Sequence, residues 1–384
     1  MIDFTYTEEQ KKLYNTIIAF AKKELNFGVI ERDKTQQFSI ESWKKCGGLQ
    51  LQGLCVPKQN GGMGLDAISS AIALEALGYG CTDGGLSFAI GAHLLACAVP
   101  IVLYGSEEQK NKYLPKISCG EIIAANAITE SESGSNVFDL KTTALKNTDG
   151  YVVNGIKTYV SNAPMADIII LYALTNAEKG FYGGISAFII DKNTKGLSCS
   201  APFDKMGLRT CLMGQVELNN VLINNAAMLG KEGSGSVMFL ESMNWERTLL
   251  SAIHVGTMQR IIEQCIEYVN HRKINNQAIG KNQAIAHKIV DMQVKLEASR
   301  LMVYKAANEL DKKSKQISIH ASSAKLFVSE ALNEVCNSAQ SVFGASGYLT
   351  NTEMERFVRD AIASKTYSGT NDIQKNIIAN SLGL

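Results

Sequence analysis

Nine cysteines and five histidines are the side chains best suited to ligate a metal or attack an electrophile, and their spacing argues against both uses. The cysteines (Cys46, Cys55, Cys81, Cys97, Cys119, Cys199, Cys211, Cys265 and Cys336) are scattered, odd in number and free of any Cys-x-x-Cys pair. That pattern predicts the reduced thiols of a cytoplasmic protein rather than a disulfide framework or a zinc site. The histidines lie far apart and none belongs to a His-Glu-x-x-His run, so no metal is expected. The glycine run "GKEGSGSVM" (Gly230, Gly233, Gly235) misses the G-x-G-x-x-G spacing and no strand-helix-strand unit surrounds it. It reads as a connection before a helix. Near the C-terminus, "KTYSGTNDIQKN" offers Ser368, a hydroxyl that cannot take a proton from carbon at neutral pH. Of the 37 acidic residues, type and spacing alone single out none; Glu241 and Glu246 lie in "ESMNWERTLLSAIHVG", and Asp360 in "FVRDAIASKTY". Taken singly, a helical glutamate is ordinarily solvated or ion-paired. Asp360 reads as a structural partner for Arg359 or another cation.

These residues need elements to hold them. At 384 residues the chain can bury a large core in about two or three domains. With 46% hydrophobic and 20% charged residues it matches an ordinary soluble globular protein. A net charge of +1 gives no field for nucleic acid or an anionic membrane, and neither partner is expected. "MIDFTYTEEQKKLYN" has no basic stretch followed by an apolar core, so no signal peptide is expected. No apolar run of about 18 residues is evident, and "ADIIILYAL" is strand-sized.

Three regions follow. Residues 1–121 carry helical periodicity, as in "EEQKKLYNTIIAFAKKEL", where Leu13, Ile17, Phe20 and Ala21 share a face that Leu25 closes. "AISSAIALEALGYG" reads as a helix ended by Gly78 and Gly80, and "VPKQNGGMGLD" as a loop. Residues 122–230 are β-rich. "GYVVNGIKTYVSNA" predicts a hairpin turning at Asn154-Gly155, and "DIIILYALT", "GISAFIID" and "QVELNNVLI" are further short strands. Strands without long intervening helices imply an antiparallel sheet, barrel or sandwich. Residues 231–384 return to long, amphipathic, proline-free helices that suit a four-helix bundle whose wide apolar faces also meet other subunits. The fold class is therefore α+β and multidomain.

The helix-strand-helix order and several motifs together resemble the acyl-CoA dehydrogenase family over essentially the whole chain. "AANAITESESGSN" is similar to the family's Thr-Glu-Pro-x-x-Gly-Ser-Asp run, with Thr129, Glu130, Gly134 and Ser135 retained and Ser131 and Asn136 departing. "GIKTYVSNA" corresponds to its Gly-x-Lys-x-Trp-Ile-Thr-Asn strand, with Tyr159 and Ser161 replacing tryptophan and threonine. The resemblance implies non-covalent FAD. Thr129, Ser135 and nearby main-chain groups at Ile128 and Gly134 would hydrogen-bond it, Tyr159 would cover a ring face, and Ser161 would reach the N5 edge. Ordinary loop capping and strand packing are the plainer roles for these residues. The family's adenine-side contacts come from an adjacent subunit, which implies a homodimer or homotetramer. Arg272 and Gln283 match its arginine and glutamine, although Ile274, Asn275 and Asn276 replace Thr-Phe-Gly. "SVFGASGY" is similar to its glycine-rich loop, with Ser341 for glutamine (Gln340 in another register), Gly344 kept and Ala345 for glycine. Thr370 and Asp372 follow its Gly-Thr-x pattern.

In most of the family a Tyr-Glu-Gly-Thr run carries the base, and here it reads Tyr367-Ser368-Gly369-Thr370. Two branches, the isovaleryl and long-chain enzymes, supply the base from the helix that opens the C-terminal domain. Glu246 falls at that position, followed by the family's Arg247. The resemblance therefore implies Glu246 as the base that removes an α-proton while hydride leaves the β-carbon for the flavin. Burial would raise its pKa from about 4.3 toward the operating range. Ser368 would vacate space while its amide serves as an oxyanion donor, with Tyr367 beside it, and Arg247 would support its helix. "SGTNDIQK", "IIAANA", "NAPMADIIILYALTNAEKGF" and "ERTLLSAIHVG" look closest to the branch that oxidises aminoacyl groups on carrier proteins, notably prolyl-carrier-protein dehydrogenases. An acyl or peptidyl carrier protein thioester is the expected partner, with acyl-CoA as the alternative. Electrons would go to an electron-transfer flavoprotein or to oxygen. A flavin oxidase or monooxygenase on the same fold, and a flavin-free scaffold, are the competing readings.

Overall fold

The computed structural model describes residues 5–384, so the first four residues of the N-terminal stretch lie outside it. Thr7 caps α1 (Glu8–Glu24) in a capping box with Gln10, and Ile17, Ala21 and Leu25 turn into the core. After α2 (Val29–Thr35) and α3 (Ile40–Gly48), Asp66 caps α4 (Ala67–Gly80). Gly80 is the last residue of α4, as expected, and Gly78 lies two residues inside it. A Cβ on Gly78 would stand 2.0 Å from the Ile253 carbonyl oxygen, so glycine is kept there for a close helix crossing.

α5 (Gly84–His93) runs through a π-helical turn, Leu94–Ala98, into α6 (Val99–Tyr104). Contrary to expectation, Gly84–Tyr104 is long and apolar enough to cross a membrane, with mean hydropathy 2.2. Because 83% of that window is buried inside the protein, it is a core helix. α7 (Glu107–Ser118) then leads into the sheet.

The strands are β1 (Ala124–Ala127), β2 (Thr143–Lys146), β3 (Gly150–Ser161), β4 (Ile168–Leu174), β5 (Ile185–Asp191), β6 (Leu197–Cys199), β7 (Met213–Asn224) and β8 (Met228–Leu229). They pair in the order β6-β7-β3-β2-β4-β5-β8, with β1 also on β4. Most pairings are antiparallel, as expected, but β1 and β2 both run parallel to β4. The sheet is mixed because the chain between β1 and β2 crosses back as a long loop instead of turning as a hairpin. The hairpin expected at Asn154-Gly155 does not form either. β3 is one strand whose two halves both pair with β7, and Gly155 (φ +150°) sits at a register shift within it. A Cβ there would meet Thr142 Oγ1 at 2.3 Å, so the glycine marks a bulge. Along β4, Ile168, Ile170 and Tyr172 face the core shared with the helices, while Ile169, Leu171 and Ala173 face the core of the sheet domain. That two-sided burial explains its continuous apolar run.

Helical structure resumes with α8 (Gly235–His271), whose 37 residues form the spine of the bundle. Asn275 and Asn276, at φ +50° and +65°, turn a small hairpin of β9 (Lys273–Ile274) and β10 (Gln277–Ala278) that the helical pattern hides. α9 (Gln283–Asp311), α10 (Ile317–Phe343), α11 (Met354–Ala363) and α12 (Asn371–Leu382) complete the bundle, and α4 and α10 both pack on α8.

Candidate active site

Glu246 opens a stretch of α8, continuing to Ile253, that is buried at every residue. Its side chain is 7% exposed, and the Ser368 hydroxyl donates to its Oε1 over 2.5 Å. Burial pushes the carboxyl up, while that hydrogen bond and the Arg247 charge pull it back. Ser368 therefore does not merely vacate space, as expected from sequence; it touches the carboxylate. Arg247, read from sequence as a structural support through buried hydrogen bonds, is buried, and its Nε donates to the Ser368 carbonyl at 3.1 Å. Gln374 Nε2 donates to the same carbonyl at 3.1 Å and to that of Gly369 at 2.8 Å. Burial lowers Arg247 only to about 10, so the guanidinium stays charged at neutral pH.

The turn so held has Ser368 at φ +55°. Its main-chain N–H has no acceptor among the described residues and is free to receive a carbonyl oxygen. Beside it, the Tyr367 ring packs 4.6 Å from that of Phe88, and its hydroxyl meets His254 Nε2 at 2.5 Å. Burial and nearby Lys325 push His254 down to about 4, so this imidazole is neutral at pH 7. Burial and Arg247 push Lys325 down to about 7, and its Nζ donates to Asn371 Oδ1 at 2.7 Å. His254 and Lys325 escaped the sequence reading. A signal existed for the first: Arg247, Leu250, Ser251 and His254 recur at helical spacing and line one small cavity.

Glu241 is exposed and accepts a hydrogen bond from the Tyr104 hydroxyl, away from this cluster. Asp360 does not pair with Arg359. It accepts the Leu208 N–H at 2.6 Å, while Arg359 bonds Glu355 at 2.7 Å and Asp33 at 2.6 Å.

A second group gathers on the sheet domain. Lys157, fully buried, donates to Glu130 Oε1 at 2.7 Å and to the Ile128 carbonyl at 2.9 Å. The Thr158 N–H donates to the Thr129 carbonyl at 2.9 Å, so the two sequence motifs lie side by side. Tyr159 (φ +55°) sits at a second register shift of β3 and is 62% exposed, edge-on to Phe203. The hydroxyls of Thr129, Ser135 and Ser161 make no hydrogen bond among the described residues, and Gly134 and Ser135 are exposed. Asn162, next to Ser161, donates to the Ala89 carbonyl at 3.1 Å. Since Phe88 carries Tyr367, α5 bridges this group to the Glu246 turn. Thr370 caps α12 by accepting from the Ile373 N–H, and Asp372 pairs with Lys375 at 3.1 Å.

A third group, Arg272, Gln283, Ser341 and Gly344, lies where α8 ends, α9 begins and α10 ends, and it takes no part in the Glu246 cluster. Lys288 donates to the Ser341 hydroxyl at 2.8 Å, and Gly344 adopts φ +60°. A groove of about 510 Å³ opens at this end beside stacked Tyr268 and Phe343.

The N-terminal, middle and C-terminal domains of acyl-CoA dehydrogenase match residues 7–121, 125–221 and 233–383. The chain belongs to the acyl-CoA dehydrogenase family. Among family members it is 40% identical, over the full length of both chains, to the L-prolyl-[peptidyl-carrier protein] dehydrogenase of Pseudomonas fluorescens. The crystal structure of the prolyl acyl carrier protein oxidase AnaB aligns with a TM-score of 0.97 at 43% identity, covering 99% of this chain and 100% of that one. PigA with FAD and proline aligns with the same TM-score at 37% identity, over all of both chains. Within the family frame, the unpaired hydroxyls of Thr129, Ser135 and Ser161 and the exposed Tyr159 ring fit a planar cofactor with a polar edge. Among the described residues there is no cluster of metal-ligating side chains.

Proposed function

We propose that this protein is an FAD-dependent dehydrogenase of prolyl thioesters borne on a peptidyl carrier protein, in which Glu246 is the base. The observation that carries this reading is the Glu246 carboxylate, buried and hydrogen-bonded to Ser368, beside a free main-chain N–H. Relatives named for prolyl carrier-protein substrates, similar over the whole chain, support the substrate class.

Glu246 takes the α-proton. The Ser368 N–H receives the thioester oxygen as negative charge grows there, the role of an oxyanion donor. The burial of Glu246 keeps water from the carboxylate, which strengthens each of these interactions, and Leu250 and Phe88 line a small cavity with Tyr367 beside this turn. When bound, FAD supplies the two-electron acceptor. Thr129, Ser135 and Ser161 with main-chain groups at Ile128 and Gly134 hold its polar edge, Tyr159 covers a ring face, and Thr370 and Asp372 lie at the N-terminus of α12. Arg272, Gln283, Ser341 and Gly344 reach the cofactor of a second copy in a homodimer or homotetramer. Exposed Val290, Val294 and Leu301 on one face of α9 support such an assembly.

Mass spectrometry after incubation with prolyl-loaded carrier protein, other aminoacyl carriers and an acyl-CoA panel tests the assignment. Loss of two or four hydrogens from the prolyl carrier is the expected result. Oxidation of acyl-CoA alone would overturn it. The rate at which reduced enzyme is reoxidised in air separates oxygen from an electron-transfer flavoprotein as acceptor.

A further inference from the structure

Ser368 stands where most of the family places its carboxylate, and its geometry is costly to maintain. A non-glycine residue at φ +55° is strained, and such strain persists only where the surroundings over-determine it. Here they do. Arg247 Nε and Gln374 Nε2 both hold the Ser368 carbonyl at 3.1 Å, and Gln374 also grips Gly369. With its carbonyl pinned from two helices, the residue projects its hydroxyl onto Glu246 Oε1, 2.5 Å away.

We infer that Ser368 is a positioning residue, whose hydroxyl aims the Glu246 carboxylate before an aminoacyl thioester arrives. The inference rests on Glu246 being the base. A carboxylate 7% exposed is otherwise driven toward its neutral form, in which it can accept no proton. The groups facing Glu246 are few. Arg247 comes from its own helix, Cys97 from the π-helical turn after α5, and Tyr367 and Ser368 from the turn after α11. Burial keeps the Cys97 thiol and Tyr367 phenol protonated, so Arg247 is the one charged neighbour, and its Nε is turned toward the Ser368 carbonyl. The serine hydroxyl is the direct donor to the carboxylate. This arrangement suits an aminoacyl substrate. An α-hydrogen flanked by both a thioester and an electron-withdrawing nitrogen is more acidic than that of a plain acyl chain, so a base whose strength the serine hydrogen bond moderates suffices for it.

The test uses the FAD-loaded enzyme and two readouts. One is the pH profile of kcat/KM with prolyl carrier protein. The other is infrared difference titration of the carboxyl stretch, with Glu246→Gln as the reference that lacks the band. Ser368→Ala should raise the Glu246 midpoint by about one pH unit, lowering kcat/KM about tenfold below that midpoint, because a hydrogen bond to a charged group is lost. Ser368→Gly, better suited than serine to φ +55°, should shift it equally. Unshifted titration in both variants, with Glu246→Gln inactive, would overturn the positioning role and leave the base assignment standing. A shift in Ser368→Ala that Ser368→Gly abolishes would overturn it too, since backbone strain and not the donor would then be responsible. Full turnover by Glu246→Gln would overturn the base assignment itself.

Discussion

Lys157 Nζ lies 2.7 Å from Glu130 Oε1 with neither group reached by more than a trace of solvent, and between them they tie the loop after β1 to the middle of β3. Glu130 also accepts the N–H groups of Lys141 and Thr142, so one carboxylate closes both ends of the loop that carries Thr129, Gly134 and Ser135. Burial pushes Lys157 down to about 8, yet the Glu130 charge opposes that shift and Glu130 is itself held low, so the pair is ionic at neutral pH.

Replacing Lys157 with methionine strands a buried carboxylate. Breaking one side of such a pair typically costs about 3–5 kcal/mol. Lys157→Met should therefore lower the denaturant midpoint and release FAD more readily than the parent, read by flavin fluorescence. A variant as stable and as flavin-tight as the parent would show that the pair does not organise the loop.

Glu246→Gln should fold, keep FAD and lose activity by about 10²–10⁴-fold, the usual contribution of a positioned general base. Because Glu246 is raised by burial, kcat/KM of the parent should fall as pH drops through that raised value, where the carboxyl gains its proton. Rapid-quench measurement of prolyl oxidation checks both statements.

The contact between residues 246 and 368 also predicts that the base can be moved. Adding Ser368→Glu to Glu246→Gln places a carboxylate within reach of the same space, and activity should recover at least about tenfold over the single variant, a tenth of the low end of what a base supplies. Ser368→Glu alone sets two carboxylates together, which forces one to hold a proton. No recovery in the double variant would mean that the φ +55° turn aims a longer side chain elsewhere.

Asp360 is pushed up to about 6, chiefly by burial. Its unfolded value is about 3.9, so the folded state holds the proton more tightly and the associated stability, full below about pH 4, is lost as pH rises through 6. Asp360→Asn keeps an acceptor for the Leu208 N–H. It should therefore be more stable than the parent at pH 7 by about 1–2 kcal/mol, with the gap closing toward pH 4. Unfolding curves at pH 4, 5.5 and 7 decide it, and a gap that widens on acidification would refute the sign.

Gly256 on α8 faces Glu75 on α4, where a Cβ would stand 1.9 Å from the carbonyl oxygen. Gly256→Ala should destabilise by about 1–3 kcal/mol or more, since two helix backbones must separate. A thermal midpoint within a degree of the parent would show that the crossing can relax.

Much of this was legible in the chain. The helical stripes of α1 and α8–α10 and the strand runs of β4, β5 and β7 all appear at the expected positions, because burial on one or both faces writes a period of 3.6 or 2 into the residues. Other features misled for local reasons. Asn154-Gly155 has the chemistry of a turn but serves as a bulge, since β7 offers partners to both halves of β3. Gly78 resembles part of a helix stop but lies within α4 at a crossing, since what excludes a side chain there is another helix far away in sequence.

Composition, spacing and motif likeness determined that this chain folds as helices, strands and helices, and that Glu246 was the carboxylate to watch. Those are properties of short windows, where period and residue type act over a turn or two. Tertiary structure alone decided what surrounds that carboxylate: a serine 122 residues later touching it, an arginine turned away to that serine's carbonyl, and a neutral histidine behind Tyr367. Proton affinity depends on which dipoles and charges lie within a few ångströms after folding, and separation along the chain carries no record of that distance.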